Sequence, residues 1–233
     1  MESLFIYGTE GLLNALWDCR LKLASPTEFN DPYEMLPATG DITEFNRALS
    51  QSFQRATFGS YYFLCLSESK NNVRMWAQYG GNHTGLMIEF DMDTGSFAEL
   101  KKTDSYIEVD YSHEERHVPE GGVSKVTHKD IIEMSRRKGS DWAHEREVRM
   151  MFTETLFESC PNWSDERIFG GKVTRFLKID HAWIRSVTIG RRARPDLFHS
   201  IRRARLKNKA EWKVYVTKLC HRTFQLRSEE VGV

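Results

Sequence analysis

The chain has 233 residues, enough for one large α+β domain with a sizeable core, and its 33 basic and 33 acidic side chains leave no formal net charge. That balance favours neither a nucleic-acid coat nor an acidic tail. The four cysteines are far apart and form no C-x-x-C pair, which argues against a disulfide scaffold or a zinc ribbon. The short, acidic N-terminal stretch does not resemble a signal peptide, and no apolar run approaches the ~18 residues of a membrane span, so a cytoplasmic protein is expected.

Short apolar stretches separated by turn residues predict strands along most of the chain. These strands are expected at residues 4–7, 21–24, 61–66, 86–90, 105–111, 142–152, 173–179, 187–189, 214–219 and 224–226. Helices are expected after Thr9, from Asp41, after Asn71 or Asn72, from about His128 to Lys138, and from Pro195, with residues 153–171 as a long excursion. The mixture lacks a strict βαβ rhythm. The expected fold is therefore a single α+β domain, residues 1–233, with a mixed, mostly antiparallel sheet and flanking helices.

Residues 142–152 carry the pattern on which the functional interpretation depends. As a strand, this stretch places Glu145, Glu147 and Arg149 on one face, with alternate residues ~7 Å apart along the chain. Two carboxylates at that spacing are able to address neighbouring parts of one small ligand, while the guanidinium moderates their charge. The alternative is a helix, in which Glu145 pairs with Arg149 on a solvated face.

Residues 25–34 contain two prolines and an Asn-Asp pair between them. Prolines fix the backbone, and short polar side chains bond to nearby amides, so the segment predicts a tight turn in which Asn30 or Asp31 accepts backbone hydrogen bonds. A plain loop is the alternative.

The sequence from His113 to His117 matches the H-E-x-x-H zinc pattern literally. That motif needs both histidines on one face of a sustained helix. Here Pro119 ends any helix after little more than a turn, and no third ligand is evident. We therefore expect no metal at this segment.

Residues 185–209 hold nine basic side chains against a single acidic one, Asp196. This excess suggests contacts with phosphates through Arg191, Arg192, Arg202 and Arg205. A solvated, charged helix face is the alternative reading of the same residues.

Four blocks in the chain together resemble a widespread bacterial family of unknown function. Their patterns are S-P-x-x-F-N-D-P-x-E from Ser25, the strand-end Ser67, M-W-x-x-Y-x-x-x-H-x-G from Met75, and W-x-x-E-x-E-x-R from Trp142. More remotely, the layout is similar to the ADP-ribosyltransferases, which carry a His or Arg on the first strand, a hydroxyl residue at a strand end, and Glu/Gln-x-Glu on a late strand.

The remote resemblance implies an NAD-consuming ADP-ribosyltransferase or NAD glycohydrolase with that family's fold. It assigns the catalytic glutamate to Glu147, the acceptor-side residue to Glu145, and the strand-end hydroxyl to Ser67. Residues 4–7 hold neither His nor Arg, so Tyr7 would stand in the first-strand position. The remaining expected NAD-binding groups are Trp76, His83 and Trp142.

The same resemblance suggests a toxin or phage-defence effector, with a protein or nucleic-acid acceptor and a neutralising partner protein. A rival interpretation comes from the basic region: a nucleic-acid-binding or nuclease-like module that uses residues 185–209 and turns over no NAD.

Overall fold

The computed structural model describes residues 2–38, 47–103, 105–113, 115–122, 124–160, 163–169 and 172–232, which form one α+β domain. Its strands are β1 (Ser3–Gly8), β2 (Arg20–Lys22), β3 (Tyr61–Ser67), β4 (Leu86–Asp91), β5 (Tyr106–Glu108), β6 (Glu147–Thr153), β7 (Ser164–Phe169), β8 (Lys172–Lys178), β9 (Ile184–Ile189), β10 (Lys213–Leu219) and β11 (Leu226–Glu230). Its α-helices are α1 (Leu13–Asp18), α2 (Arg47–Phe58), α3 (Val73–Gln78), α4 (Gly95–Leu100), α5 (His128–Arg136), α6 (Glu154–Ser159) and α7 (Pro195–Lys207). Shorter 3₁₀ turns lie at Glu10–Leu12, Pro26–Glu28, Ser140–Glu145 and His181–Trp183.

The main sheet has eight strands in the order β11-β10-β9-β4-β1-β3-β6-β5. Its neighbouring strands are antiparallel except β9 and β10, which run parallel. Parallel neighbours need a crossover connection, and α7 supplies it. The expectation of a mixed, mostly antiparallel sheet in an α+β domain is confirmed.

A second, smaller sheet has the order β2-β8-β7. The prediction of a long excursion over residues 153–171 was wrong, because this stretch contains α6 and β7. Thr153 caps α6 by accepting a hydrogen bond from the backbone N–H of Leu156, a local signal that the apolar pattern did not carry.

Apolar clusters cover both faces of the main sheet, the largest on one face and two smaller ones on the other. One face is apolar and packs into the largest core cluster, with Leu64, Leu66, Val148 and Met150 among its members. The opposite face carries two smaller apolar clusters. One contains Phe63, Ile107 and Met151, and the other contains Phe5, Tyr7 and Trp76.

The prediction of one strand over residues 142–152 was wrong in its first half. Ser140–Glu145 forms a 3₁₀ turn, Arg146 adopts a left-handed conformation with φ of 45°, and the strand begins only at Glu147. The carbonyl groups of His144 and Glu145 accept hydrogen bonds from the side chains of Asn72 and Ser67 instead of from a neighbouring strand. Tertiary contacts with the loop after β3 thus replace strand pairing before Glu147.

Three smaller expectations also differ from the structure. The apolar spacing of the helix from Pro195 predicts that Leu206 points inward, but on α7 its side chain is 70% exposed. Phe224 lies in the loop before β11 and not on a strand, and β5 is shorter than residues 105–111. The predicted helix from Asp41 is observed over Arg47–Phe58, and its expected start lies outside the described residues.

Within the described ranges, no helix is long and apolar enough to cross a membrane.

Candidate functional site

A row of residues crosses three strands of the main sheet and forms the base of a cavity. Phe5 on β1 is the register partner of Ser67 on β3, and Ser67 is the partner of Glu147 on β6. Register partners on paired strands share a face, so the three side chains point the same way. A cavity of about 230 Å³ opens over this row, and Tyr7, Glu145 and all three residues line it.

Ser67 occupies the last position of β3 and holds the neighbouring turn in place. Its hydroxyl donates to the Glu145 carbonyl at 2.5 Å and accepts the Ser69 backbone N–H at 3.0 Å. Through the first bond, the end of β3 fixes the 3₁₀ turn that delivers Glu145 to the cavity. The structure therefore brings Glu145, Glu147 and Ser67 together, although of the two glutamates only Glu147 lies on β6.

The Glu147 carboxylate is held by two buried cations. Arg149 donates from Nε to Oε1 at 3.0 Å and from Nη2 to Oε2 at 2.8 Å, and Lys138 donates from Nζ to Oε2 at 3.0 Å. The exposed fractions of Glu147, Lys138 and Arg149 are 8%, 6% and 0%. Buried charges require partners of this kind, so the carboxylate is fixed in one position.

Lys138 joins this pair to the second carboxylate. Its Nζ also donates to Glu145 Oε2 at 2.6 Å and lies 3.6 Å from Glu34 Oε1. Burial alone would lower the pKa of Lys138, but the charges of Glu147 and Glu145 outweigh burial and raise it above its usual value. Lys138 therefore stays positively charged inside the cluster.

Glu34 completes the cluster from the turn that the prolines were expected to fix. It accepts a hydrogen bond from Arg149 Nη2 and is 4% exposed. Upstream in this turn, Asp31 Oδ1 accepts the Tyr33 backbone N–H at 2.9 Å, which confirms the predicted side-chain-bonded turn. The turn thus delivers a third carboxylate to the same site.

The cluster defined by Glu34, Lys138, Glu145, Glu147 and Arg149 has three carboxylates and two cations. Burial raises the pKa of Glu147, the charge of Lys138 and hydrogen bonds from Cys65 and Lys138 oppose that rise, and the charge of Glu145 adds to it. A surplus carboxylate in a desolvated site favours either a bound proton or a cation from outside.

Tyr79 connects the cluster to the rim of the cavity. Its hydroxyl donates to Glu145 Oε1 and accepts a hydrogen bond from Asn30 Nδ2 at 2.9 Å. Burial, followed by the hydrogen bond to Glu145, raises the pKa of Tyr79, so the phenol remains a donor at neutral pH.

A second cavity, of about 700 Å³, adjoins the first at Glu34 and Lys138. Arg116, Arg137 and Trp142 line it. Lys138 Nζ lies 5.0 Å from the centre of the Trp142 ring, so the indole covers the cluster from this side. Trp142 therefore walls the second cavity and not the first.

The other residues expected to bind NAD take different positions. Tyr7 lines the first cavity, with its hydroxyl donating to the Ser69 carbonyl at 2.6 Å. Trp76 is fully buried behind Tyr7, with ring centres 5.3 Å apart, and does not line that cavity. His83 stacks on the far side of Trp76 and lines a third cavity together with Arg191 and Arg192.

The four arginines expected to bind nucleic acid do not form one site. Arg202 and Arg205 lie on α7 and line neither the third cavity nor the first. The basic stretch in the sequence is therefore divided between the turn before α7 and the body of that helix.

The H-E-x-x-H segment forms separate contacts. His117 Nε2 lies 2.7 Å from Asp130 Oδ1, and His113 Nε2 lies 3.2 Å from Asp110 Oδ2. Glu114 is outside the described residues. Among the residues that are described, no group of three His, Cys, Asp or Glu side chains has the arrangement of a metal site.

Sequence reasoning missed Lys138 and Tyr79 as members of the site. Lys138 follows the end of α5 and carries no local signal, since a lysine beside Gly139 is an ordinary surface pattern. Tyr79 and Glu34 each belong to one of the sequence blocks quoted above. Their co-occurrence with Glu145 and Glu147 in those blocks was the available signal.

Comparison with curated proteins and with solved structures found no match. A family model described as "Protein of unknown function (DUF2971)" matches residues 75–150. The matched stretch includes Tyr79, Lys138, Glu145, Glu147 and Arg149, whereas Glu34 and Ser67 precede it. Most of the charged cluster thus falls within a segment similar to a family of unknown function.

Proposed function

We propose that this chain cleaves the bond between nicotinamide and ribose in NAD and passes the ADP-ribosyl group to an acceptor or to water, with an ADP-ribosyltransferase-like arrangement of its strands. The observation that carries the proposal is the Glu147 carboxylate, fixed beside Ser67 and Glu145 at the base of a cavity whose buried cluster has one carboxylate in excess.

The charge of the cluster suits the reaction. As the glycosidic bond breaks, its electron pair goes to the nicotinamide nitrogen, and positive charge moves from the pyridinium ring to the ribose. A fixed carboxylate beside the ribose stabilises that charge more in the transition state than in bound NAD. Arg149 and Lys138 hold Glu147 in place so that the carboxylate does not have to reorganise during the reaction.

The second carboxylate has a separate role in the proposal. The acceptor hydroxyl, or water, forms a bond to the ribose carbon and loses a proton. Glu145 accepts this proton, and Tyr79, bonded to both Glu145 and Asn30, orients the carboxylate toward the rim. Hydrolysis then yields ADP-ribose, nicotinamide and one proton, which leaves to solvent.

The two cavities differ in volume, and we assign a different part of NAD to each. The first, at about 230 Å³, lies below the roughly 300–1,000 Å³ typical of pockets for whole drug-sized ligands, which suits nicotinamide and its ribose. The diphosphate and adenosine are assigned to the adjoining second cavity, where Arg116 and Arg137 supply positive charge beside the acidic lining residues Asp31, Glu115 and Asp141. In this assignment, Arg116 and Arg137 bind the anionic half of NAD, since β1 holds neither a His nor an Arg.

Release of nicotinamide from NAD tests the proposal directly, measured by chromatography with water, protein and nucleic acid offered as acceptors. Glu147→Gln should lower the rate on the order of 10²-fold or more with little change in KM. Glu145→Gln should be milder for hydrolysis and more damaging for transfer.

The matched control is Glu89→Gln. Glu89 is also a carboxylate in a network of hydrogen bonds, with Lys70 at 3.1 Å and Ser186 at 2.6 Å, and it does not line the first cavity. This variant should keep the wild-type rate. A wild-type protein that releases no nicotinamide with any of these acceptors, or a Glu147→Gln variant as fast as wild type, would refute the proposal.

A further inference from the structure

The third cavity, of about 420 Å³, lies where three chain segments meet. They are the loop at His83, the turn with Arg191 and Arg192 after β9, and residues 220–225 between β10 and β11. The Arg192 backbone N–H donates to the His83 carbonyl at 2.9 Å, which joins the first two segments. A Cβ at Gly190 would lie 2.3 Å from the His83 oxygen, so only glycine permits this close approach.

The lining of this cavity is strongly basic. It contains Arg191, Arg192 and Arg222 with His83 and His221, and none of the described residues that line it is acidic. Arg192 Nη1 donates to a neutral amide oxygen, that of the Asn82 side chain, at 3.2 Å. Burial, then the charges of Arg192 and Arg191, lower the pKa of His83, which is a separate sign of positive potential in the cavity.

An exposed aromatic ring stands at the edge of the same cavity. Phe224 lines it and is fully exposed, and Leu219 and Val73, also in the lining, are 52% and 44% exposed. Exposed large apolar side chains that lie together with a polar rim mark interaction sites, whereas single exposed ones do not. An aromatic face next to cations is the arrangement that stacks a base while the cations hold its phosphate.

From this combination we infer that the third cavity binds a nucleotide, with the phosphate held by Arg191, Arg192 and Arg222 and the base stacked on Phe224. The nucleotide is either free or one unit of a single strand, since both present the same phosphate and base. The concave shape favours this ligand over a membrane surface, because a membrane-binding apolar face lies in the plane of the lipid interface. The site shares no lining residue with the first cavity, so the inference is independent of NAD cleavage.

Binding is tested with the full chain by fluorescence anisotropy of a labelled twelve-residue oligothymidylate, with thymidine monophosphate and sodium sulfate as competitors. Arg191→Ala combined with Arg192→Ala should weaken binding at least about tenfold and reduce the slope of log affinity against log salt by about 1.4. Phe224→Ala should weaken binding at least about fivefold through loss of stacking.

Each variant has a control on α7, outside the cavity. Arg202→Ala combined with Arg203→Ala removes the same charge, and Leu206→Ala removes a side chain that is 70% exposed. Both controls should bind within about twofold of wild type. Thermal unfolding of all the variants identifies any that fail to fold.

A second measurement of binding uses the thiol of Cys220, which lines the cavity. Hydrogen bonds with Thr223 and with backbone groups of Arg222 and Thr223 lower the pKa of its thiol. A bound nucleotide should slow alkylation of Cys220 by iodoacetamide several-fold, with Cys220→Ser identifying the labelled site by mass spectrometry. This protection is measured on the wild-type cavity.

The outcomes separate the possible ligands. Competition by thymidine monophosphate together with sensitivity to Phe224→Ala supports a free nucleotide, and binding of the strand alone with the same sensitivity supports a nucleic-acid strand. Equal losses in cavity and α7 variants, or no binding by either probe, would overturn the inference. If sulfate competed fully and the Phe224→Ala variant bound as well as wild type, the cavity would be a simple anion site. If the protein bound only anionic phospholipid vesicles, offered as a separate probe, the ligand would be a membrane surface and not a nucleotide. Both results reject the proposal.

Discussion

The two faces of β6 pack against different surroundings, although their residues alternate along one strand. Val148, Met150 and Phe152 point into the largest apolar core, whereas Glu147 and Arg149 point into the charged cluster. Both faces are buried, so hydrophobic burial alone does not distinguish them. The apolar face gains stability from the area it removes from water, while the charged face must offset the cost of desolvating ions by pairing them.

A buried ion cluster is a weak source of stability compared with an apolar core of similar volume. Its presence on one face alone therefore points to a role that apolar side chains do not perform. The contrast between the faces predicts how substitutions on each should respond to pH, because protonation alters the charged face and leaves the apolar face unchanged.

The largest effect is expected from Arg149→Met, which removes a cation that Glu34 and Glu147 both contact. Three carboxylates would then share Lys138, and the free energy of unfolding at neutral pH should fall by about 3–5 kcal/mol. The unpaired glutamates would have pKa values raised in the folded state, so their stabilising contribution is present at low pH and is lost as pH rises. Urea denaturation at about pH 5 and about pH 7.5 should show a smaller deficit at the lower pH.

Arg146→Met provides the matched control for this substitution. Arg146 lies on the same segment and forms an ion pair with Glu68 at 3.0 Å, but its side chain is 61% exposed. Loss of an exposed pair should change the free energy of unfolding by less than about 1 kcal/mol at either pH. Equal effects of the two substitutions would contradict the assignment of Arg149 to a buried cluster.

On the other face, Met150→Ala should lower the free energy of unfolding by about 2–5 kcal/mol, since Met150 is completely buried and its truncation leaves a cavity. No titratable group gains or loses a partner in this variant. The deficit measured by urea denaturation should therefore be the same at both pH values. A deficit that changes with pH would show that the two faces are coupled, and the contrast drawn above would fail.

The sequence predicted the apolar face of β6 better than the origin of the charged cluster. Val148, Met150 and Phe152 alternate along the sequence, a period that places them on one face of a strand, and in β6 that face is buried in the largest apolar cluster. The period of a strand predicted that Glu145 shares a face with Glu147, but a 3₁₀ turn brings Glu145 to the first cavity.

The remaining members of the cluster depend on long-range contacts that periodicity does not encode. Glu34 lies 115 positions from Arg149, and the contact exists because the proline-rich turn folds back over β3 and β6. Lys138 approaches from the segment between α5 and the 3₁₀ turn. No local pattern marks either residue as buried. The joint order of the sequence blocks includes Glu34, whereas Lys138 lies in none of the blocks.

A smaller effect is expected from Tyr79→Phe, which removes the hydroxyl between Asn30 and Glu145. One oxygen of a buried carboxylate then loses its donor, and the free energy of unfolding should fall by about 1–2 kcal/mol. Tyr215→Phe is a suitable control, since that hydroxyl makes a long 3.4 Å contact with the exposed Glu230. If both substitutions had equal effects, the bond from Tyr79 to Glu145 would contribute nothing specific to the site.

The smallest change in stability is expected from Glu147→Gln, the substitution that should harm catalysis most. Removing one of three carboxylates leaves Glu34 and Glu145 opposite Lys138 and Arg149, a balanced set, so the free energy of unfolding at neutral pH should stay within about 1 kcal/mol of wild type. Because the pKa of Glu147 is raised in the folded protein, wild type has the stabilising contribution of the protonated acid at low pH and loses it as pH rises through that pKa. The glutamine variant has no such loss, so its stability relative to wild type should increase from about pH 5 to about pH 8. Urea denaturation across this range measures the difference. A glutamine variant that instead loses stability relative to wild type as pH rises would mean that the ionised Glu147 carboxylate stabilises the fold. Glu147 would then be a structural ion-pair residue, without the excess charge on which the proposed chemistry depends.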